Sequence, residues 1–293
     1  MLTRRGFMAA HLEDGPVGAQ LVALASGALT TFRSRLSDIT ADDSAQLATC
    51  VHDTRRKMKW LRSLLRVVRP ALPRSAFKSE DHALRDVGRT LADARSHVAR
   101  KACLLSLADH FGIPKGDLRD ELALLENDAE ADVRACRAAH EALEKVGIAE
   151  LEALAEADVG ALAEGMSAEL RRAKKAYRRA RKAPTSHHVH EWRKEVKHHL
   201  HQLELVRNRS QVLSERANAL KSLSELLGHA HDLADLRHHL AAHRPRPENG
   251  SLDLAALLEA REAELSLRAL TLGKPLFRQK PSELRAELER HLS

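Results

Sequence analysis

Two stretches of the chain carry the same residue types at the same spacing. Residues 51–59 read VHDTRRKMK and residues 189–197 read VHEWRKEVK, a V-H-[acid]-x-R-[basic]-x-x-K skeleton repeated 138 positions apart. A duplicated catalytic histidine is one reading of it. A set of anion contacts is the other, because guanidinium forks and ammonium groups make charge-assisted hydrogen bonds to anionic oxygens. Helical geometry bears on the choice. At about 100° per residue, His52, Arg55, Arg56, Lys59, Arg62 and Arg66 fall within an arc of about 120°, and Met58, Leu61, Leu64, Leu65 and Val68 take the opposite side. In the second copy His190, Arg193, Lys194, Lys197 and His201 share one face, opposite Trp192, Val196, Leu203 and Val206. Each copy therefore lays down a cationic stripe backed by an apolar face. His199 falls among the apolar residues, and the spacing assigns it no role.

A third basic stripe is RRAKKAYRRARK at 171–182, in which eight of twelve residues are cationic. Arg171, Lys174, Lys175, Arg178 and Arg179 belong to it, with Arg172, Arg181 and Lys182. All eight fit within an arc of about 180°, and Ala173, Ala176, Tyr177 and Ala180 fill the other side. Like charges at i, i+4 destabilise a helix by a few tenths of a kcal/mol each. A polyanion in residence would relieve that repulsion. The chain also holds 18 histidines, 11 of them between His187 and His243. Near a dense anion the imidazolium form is favoured, so these histidines are expected to rise in pKa and join the cationic lining.

These side chains need rigid elements to aim them, and the composition supplies helices. Ala, Leu, Arg and Glu dominate, aromatics are 3% of the chain, and no alternating apolar–polar run marks a strand. The pattern predicts helices near 16–36, 43–69, 79–110, 117–145, 149–182, 186–209, 211–243, 251–271 and 282–291. Pro70 and Pro73 end the second, Ser79 caps the third, and Gly112 and Pro114 break the chain before the fourth. A break inside 149–182 is expected between Asp158 and Gly165. A second echo, LADARS at 91–96 and LGHAHD at 227–232, is offset by 136 residues, nearly the offset of the first pair. Two matches almost in register predict a duplicated helical unit of four or five helices per half.

Net charge is +7, unevenly spread: residues 117–170 hold 15 acids against 4 bases, so the rest carries +18. That split predicts a basic working surface with an anionic partner. Cys50, Cys103 and Cys136 stand apart in sequence and imply neither a disulfide framework nor a zinc site, which fits a reducing cytoplasm. No signal peptide and no membrane-spanning run is evident.

The H-[DE]-x-R-[RK]-x-x-K segments at 52–59 and 190–197, together with LGHAHD at 227–232, resemble the CHAD domain, the conserved histidine α-helical domain. The resemblance runs from about residue 16 to about 290. It implies an all-α fold of two pseudo-symmetric helical bundles packed around a basic groove or pore. Residues 1–15 would be an N-terminal extension and 16–292 one domain of two repeats, about 16–147 and 148–292. It further implies non-catalytic binding of inorganic polyphosphate, no cofactor, bacterial or archaeal origin, and association with polyphosphate granules. By that resemblance His52, Arg55, Arg56, Lys59 and Arg62 line the site from the first half, and His190, Arg193, Lys194 and Lys197 from the second. Arg95 aligns with His231 in the downstream pair. The chain departs from the family's pattern at Ser96 and at His231, and Asp232 would orient a basic neighbour. Arg66, His201 and the 171–179 cations extend the same expectation from the wheel.

Polyphosphate has no bases to read, so its recognition rests on charge, and the scarcity of aromatics fits it better than single-stranded nucleic acid. Nucleic acid remains an alternative, as a weaker polyanion competitor. The His231-Asp232 dipeptide raises a second alternative, an HD-type metal-dependent phosphohydrolase. No metal site is expected, and no Gly-x-Ser-x-Gly or Walker loop is present.

Overall fold

The computed structural model describes residues 11–40, 44–126, 129–243 and 253–292; the side chains of residues 44, 93–96 and 149 lie outside the description. The fold is all-helical, with no strand among the described residues. The first part holds α1 (Val17–Ser37), α2 (Ser44–Val67), α3 (Arg74–Thr90), α4 (Ala92–Phe111), α5 (Arg119–Ala123), α6 (Ala129–Leu143) and α7 (Glu152–Ala155). It is followed by α8 (Val159–Lys182), α9 (Ser186–Val206), α10 (Gln211–His243), α11 (Leu254–Leu276) and α12 (Pro281–Leu292).

Local chemistry sets several helix ends. Asp158 caps α8 by accepting from the Ala161 amide, Thr185 caps α9 through the His188 amide, and Asp253 caps α11 through the Ala256 amide. Gly112 ends α4 in the left-handed region, φ 67°. The break expected within 149–182 falls at its N-terminal edge, between α7 and α8.

Two expectations are corrected. The helix placed at 79–110 is two helices that meet at Leu91, and the first begins at Arg74, directly after Pro73. Proline fixes an extended entry and frees the next residue to start a helix, so Ser79 sits inside α3 and caps nothing. The helix placed at 117–145 is a short 3-10 turn, α5 and α6. Cys50 of α2 and Cys136 of α6 are buried free thiols, and the influence of Cys136 holds the Cys50 thiol down at about 7.

The two motif helices, α2 and α9, pack on each other, with α8 beside both. Ser63 of α2 ties them: its hydroxyl donates to Lys59 O (2.8 Å) and lies 2.9 Å from His198 Nδ1 and 3.1 Å from His201 Nδ1. Gln202 Nε2 donates to Ser63 O at 3.0 Å. The main core spreads from α1 through α2, α3, α6, α8, α9 and α12. A smaller one joins α4 to α10 and α11, through Leu104, Leu107, Leu233 and Leu265 among others. Each core draws residues from both sides of position 147, so the chain's two parts are interleaved through their side chains.

Close crossing of α8 over the end of α2 depends on Gly165. A Cβ there would lie 1.9 Å from the Val67 carbonyl oxygen, backbone that has no room to yield. Gly165→Ala should therefore destabilise the fold by about 1–3 kcal/mol, read as a lowered urea midpoint at unchanged slope.

Candidate functional site: a cationic cavity between α2, α9 and α10

Apolar residues Val51, Met58, Leu61, Leu64 and Leu65 turn α2 into the core, which leaves the first part of its stripe, His52 to Lys59, beside α9 and α10. The result is a cavity of about 840 Å³. Its lining includes His52, Arg55, Arg56 and Lys59 from α2, Arg193, Lys197 and His201 from α9, and His231 from α10. Both copies of the repeated motif thus supply walls of one cavity. The side chains act on one another across it: the charges of Arg193 and Arg56 bear on Lys197, and those of Arg193 and Lys59 on His231.

Other lining residues carry no motif. Lys57, Arg207, Lys221 and His229 add basic groups, and Glu204, Glu225, Asp232 and Asp235 add carboxylates. The α10 members were legible as a face: 221, 224, 225, 228, 231, 232 and 235 follow the helical period. The cavity therefore holds eight Lys or Arg side chains against four carboxylates, a cationic excess rather than a pure cationic surface. Two of the carboxylates have partners close at hand. Asp235 accepts from Arg100 at 2.8 and 3.3 Å, and Glu204 pairs with Arg207 at 3.6 Å.

Several expected residues lie elsewhere. Arg62 faces α3, where it binds Asp81 at 2.8 and 3.2 Å. Burial alone would raise the Asp81 carboxyl; the Arg62 hydrogen bond and charge, with Arg85, hold it below its ordinary value. Arg66 is drawn into a buried cluster under α8, 3.3 Å from Glu169 and 3.6 Å from Glu195. Burial and the neighbouring Glu195 carboxyl push the Glu169 carboxyl up to about 8. Lys194 pairs with Glu191 at 2.5 Å and does not line the cavity. His190 sits behind the wall, 3.1 Å from His231 between their Nδ1 atoms. Arg55 lines the cavity but also donates to the Gly88 carbonyl of α3, so it holds structure as well as charge. The side chains of Arg95 and Ser96 lie outside the described residues.

The α8 stripe is not in the lining. Arg171, Lys175, Arg178 and Arg179 face solvent. Lys174 donates to the carbonyls of Gln279 (2.7 Å) and Arg278 (3.3 Å), closing the turn between α11 and α12. Segregation on a wheel finds the polar face of a helix, but not what stands opposite it. His199 is fully buried with both ring nitrogens lacking a hydrogen-bond partner, and burial drives its pKa far down.

Among the protein's own groups, three of the histidines expected in the lining are held below the ordinary imidazole value. Burial first, then the charge of Lys197, pushes His201 down to about 3. Burial, then Arg193, does the same to His231, also about 3. His190 is lowered by burial and by Lys194. These imidazoles are hydrogen-bonding walls, not charges, near neutrality. The lysines titrate instead: burial, then Arg193 and Arg56, lowers Lys197 to about 8, and burial with Arg56 lowers Lys57 to about 8. An anion in the cavity favours the protonated amine, so affinity is gained below that pKa and lost as pH rises through it. Polyanion affinity at constant ionic strength should fall about fivefold to tenfold from pH 7 to 9 and stay level from pH 8 to 6 as far as His201 and His231 are concerned. Lys197→Arg should flatten the alkaline limb; an unchanged limb would remove Lys197 from the contacts.

For the phosphohydrolase alternative, no three His, Cys, Asp or Glu side chains converge to hold a metal among the described residues. No described helix is long and apolar enough to cross a membrane.

The chain matches known proteins at the level of family. The model of the CHAD domain matches residues 28–241. The crystal structure of the CHAD domain from the plant Ricinus communis is similar in fold, with TM-score 0.60, 19% identity, and coverage of 96% of this chain and 95% of that one. A plant member shows that the family is not confined to bacteria and archaea, as the resemblance had implied. No curated protein matches the chain. The family match spans α2, α9 and α10, the three helices that build most of the cavity, and on that match the chain belongs to the CHAD-domain family.

Proposed function

We propose that the protein binds inorganic polyphosphate in the α2–α9–α10 cavity without altering it chemically. The observation that carries this reading is the convergence of the two motif copies on one cavity with an excess of Lys and Arg. A phosphate chain offers closely spaced oxygens and no bases, so many charge-assisted hydrogen bonds suit it. Arg56 and Arg193 give forked contacts from opposite walls, and Lys59 and Lys197 give point charges between them. The low dielectric of a partly enclosed site strengthens each contact. Cytoplasmic residence and targeting to polyphosphate granules belong to the same proposal.

The test is titration of long-chain polyphosphate into the whole protein by calorimetry, with duplex DNA at equal phosphate concentration as competitor. Polyphosphate should displace DNA. DNA prevailing would make nucleic acid the partner. Chain length on gels should be unchanged after prolonged incubation; shortening would show hydrolysis and end the non-catalytic reading.

A further inference from the structure

A second cavity, of about 380 Å³, opens beside the first. The two share His52, Ala99, His229 and Asp232. Its character is different. Val98 and Ala102 of α4 form one wall, and Leu107, Leu233 and Leu265 form the floor. Those three leucines belong to the smaller core and are 2–4% exposed, so the floor is fixed by packing. Val98, by contrast, is 43% exposed, one of few large apolar side chains left to solvent among the described residues. The size falls within the roughly 300–1,000 Å³ of small-molecule sites, which combine apolar walls with a few placed polar groups.

A bare phosphate chain has no use for such walls, because it makes no apolar contact. Nor does it suit Asp232, a carboxylate at the junction of the two cavities. A ligand with phosphates at one end, hydroxyls in the middle and a flat apolar body at the other suits all three regions. In dinucleotide sites a carboxylate accepts from the ribose 2′-hydroxyl. Arg261, at the edge of the apolar cavity, is held by Glu264 and presents a planar guanidinium that can stack on a base.

We infer that the paired cavities form a site for a nucleoside polyphosphate, with its phosphates among Arg56, Arg193 and Lys197, its ribose at Asp232 and its base against Val98, Ala102 and Leu265. This inference rests on the polyphosphate reading of the first cavity and extends it. The nucleoside end adds apolar burial that a free chain lacks, so a capped chain binds more tightly than an uncapped chain of the same length.

The test compares adenosine 5′-tetraphosphate with inorganic tetrapolyphosphate as competitors of labelled long-chain polyphosphate on the whole protein. The capped ligand should compete at about tenfold lower concentration. Ala102→Phe and, separately, Ser106→Phe fill the apolar cavity from exposed positions of α4. Each should erase that advantage and leave inorganic tetrapolyphosphate unchanged, with circular dichroism as the folding control. Equal competition by the two ligands in the wild type, or an advantage that survives in both folded variants, overturns the inference while the polyphosphate reading stands. If labelled polyphosphate itself fails to bind the folded wild type, both readings fall.

Discussion

The doubly substituted Arg56→Gln/Arg193→Gln protein should bind long-chain polyphosphate about 10²–10⁴-fold more weakly than the wild type. The two residues stand on α2 and α9 and line the same cavity. A hydrogen bond to a charged group contributes about 1.5–3 kcal/mol, so removing both guanidinium forks together accounts for that range. Glutamine keeps much of the side-chain length and polarity, and Arg56 is exposed, so the fold should survive. Arg55 is a poorer choice, since its bond to the Gly88 carbonyl couples any binding loss to the seating of α3. The matched control is Arg178→Gln/Arg179→Gln on the solvent face of α8. It removes the same formal charge from outside the cavity and should change affinity by less than about threefold, in line with the small effect of screened surface charge. Calorimetric titration of both variants decides between the cavity and the α8 stripe. A large loss in the α8 variant with none in the cavity variant would move the site to α8.

Affinity should also drop about fiftyfold between 50 and 200 mM salt. Binding a polyanion releases counterions, and each neutralised phosphate of a single-stranded chain adds about −0.7 to the log–log slope. The excess of Lys and Arg over carboxylates in the lining is enough for about four such contacts. The Arg56→Gln/Arg193→Gln protein should show a slope shallower by about 1.4, whereas the α8 variant should keep the wild-type slope. The four carboxylates hold the slope below what eight cations would give alone. Fluorescence competition at four salt concentrations measures this directly. A flat response in the wild type would mean that charge neutralisation is not what holds the ligand.

Part of this site was legible before any fold was known. The stripes of α2 and α9 follow from residue spacing and the helical turn, and the structure turns the opposite faces into the core, with Met58 and Leu61 buried on α2 and Trp192 and Val196 on α9. Helix ends at Gly112, Asp158 and Thr185 were likewise local, because a positive φ or a capping oxygen is a property of a few neighbouring residues. The ends that were missed, at Arg74 and Leu91, lack a capping side chain.

Which cations of a stripe meet the cavity is a matter of packing. Arg62 and Arg66 lie on the same face of α2 as Lys59, but Asp81 of α3, Glu169 of α8 and Glu195 of α9 claim them. Packing likewise turns the densest basic run, on α8, toward solvent or the closing of a turn. It also leaves His201 and His231 neutral, because desolvation depends on what covers a side chain. A helical chain with two matching cationic faces can be read from residue order, since periodicity is a one-dimensional property. The joining of α2, α9 and α10 made those faces one cavity, placed four carboxylates within it and set an apolar chamber beside it. Charge pairing and enclosure depend on residues brought together from distant parts of the chain, and no local pattern records them.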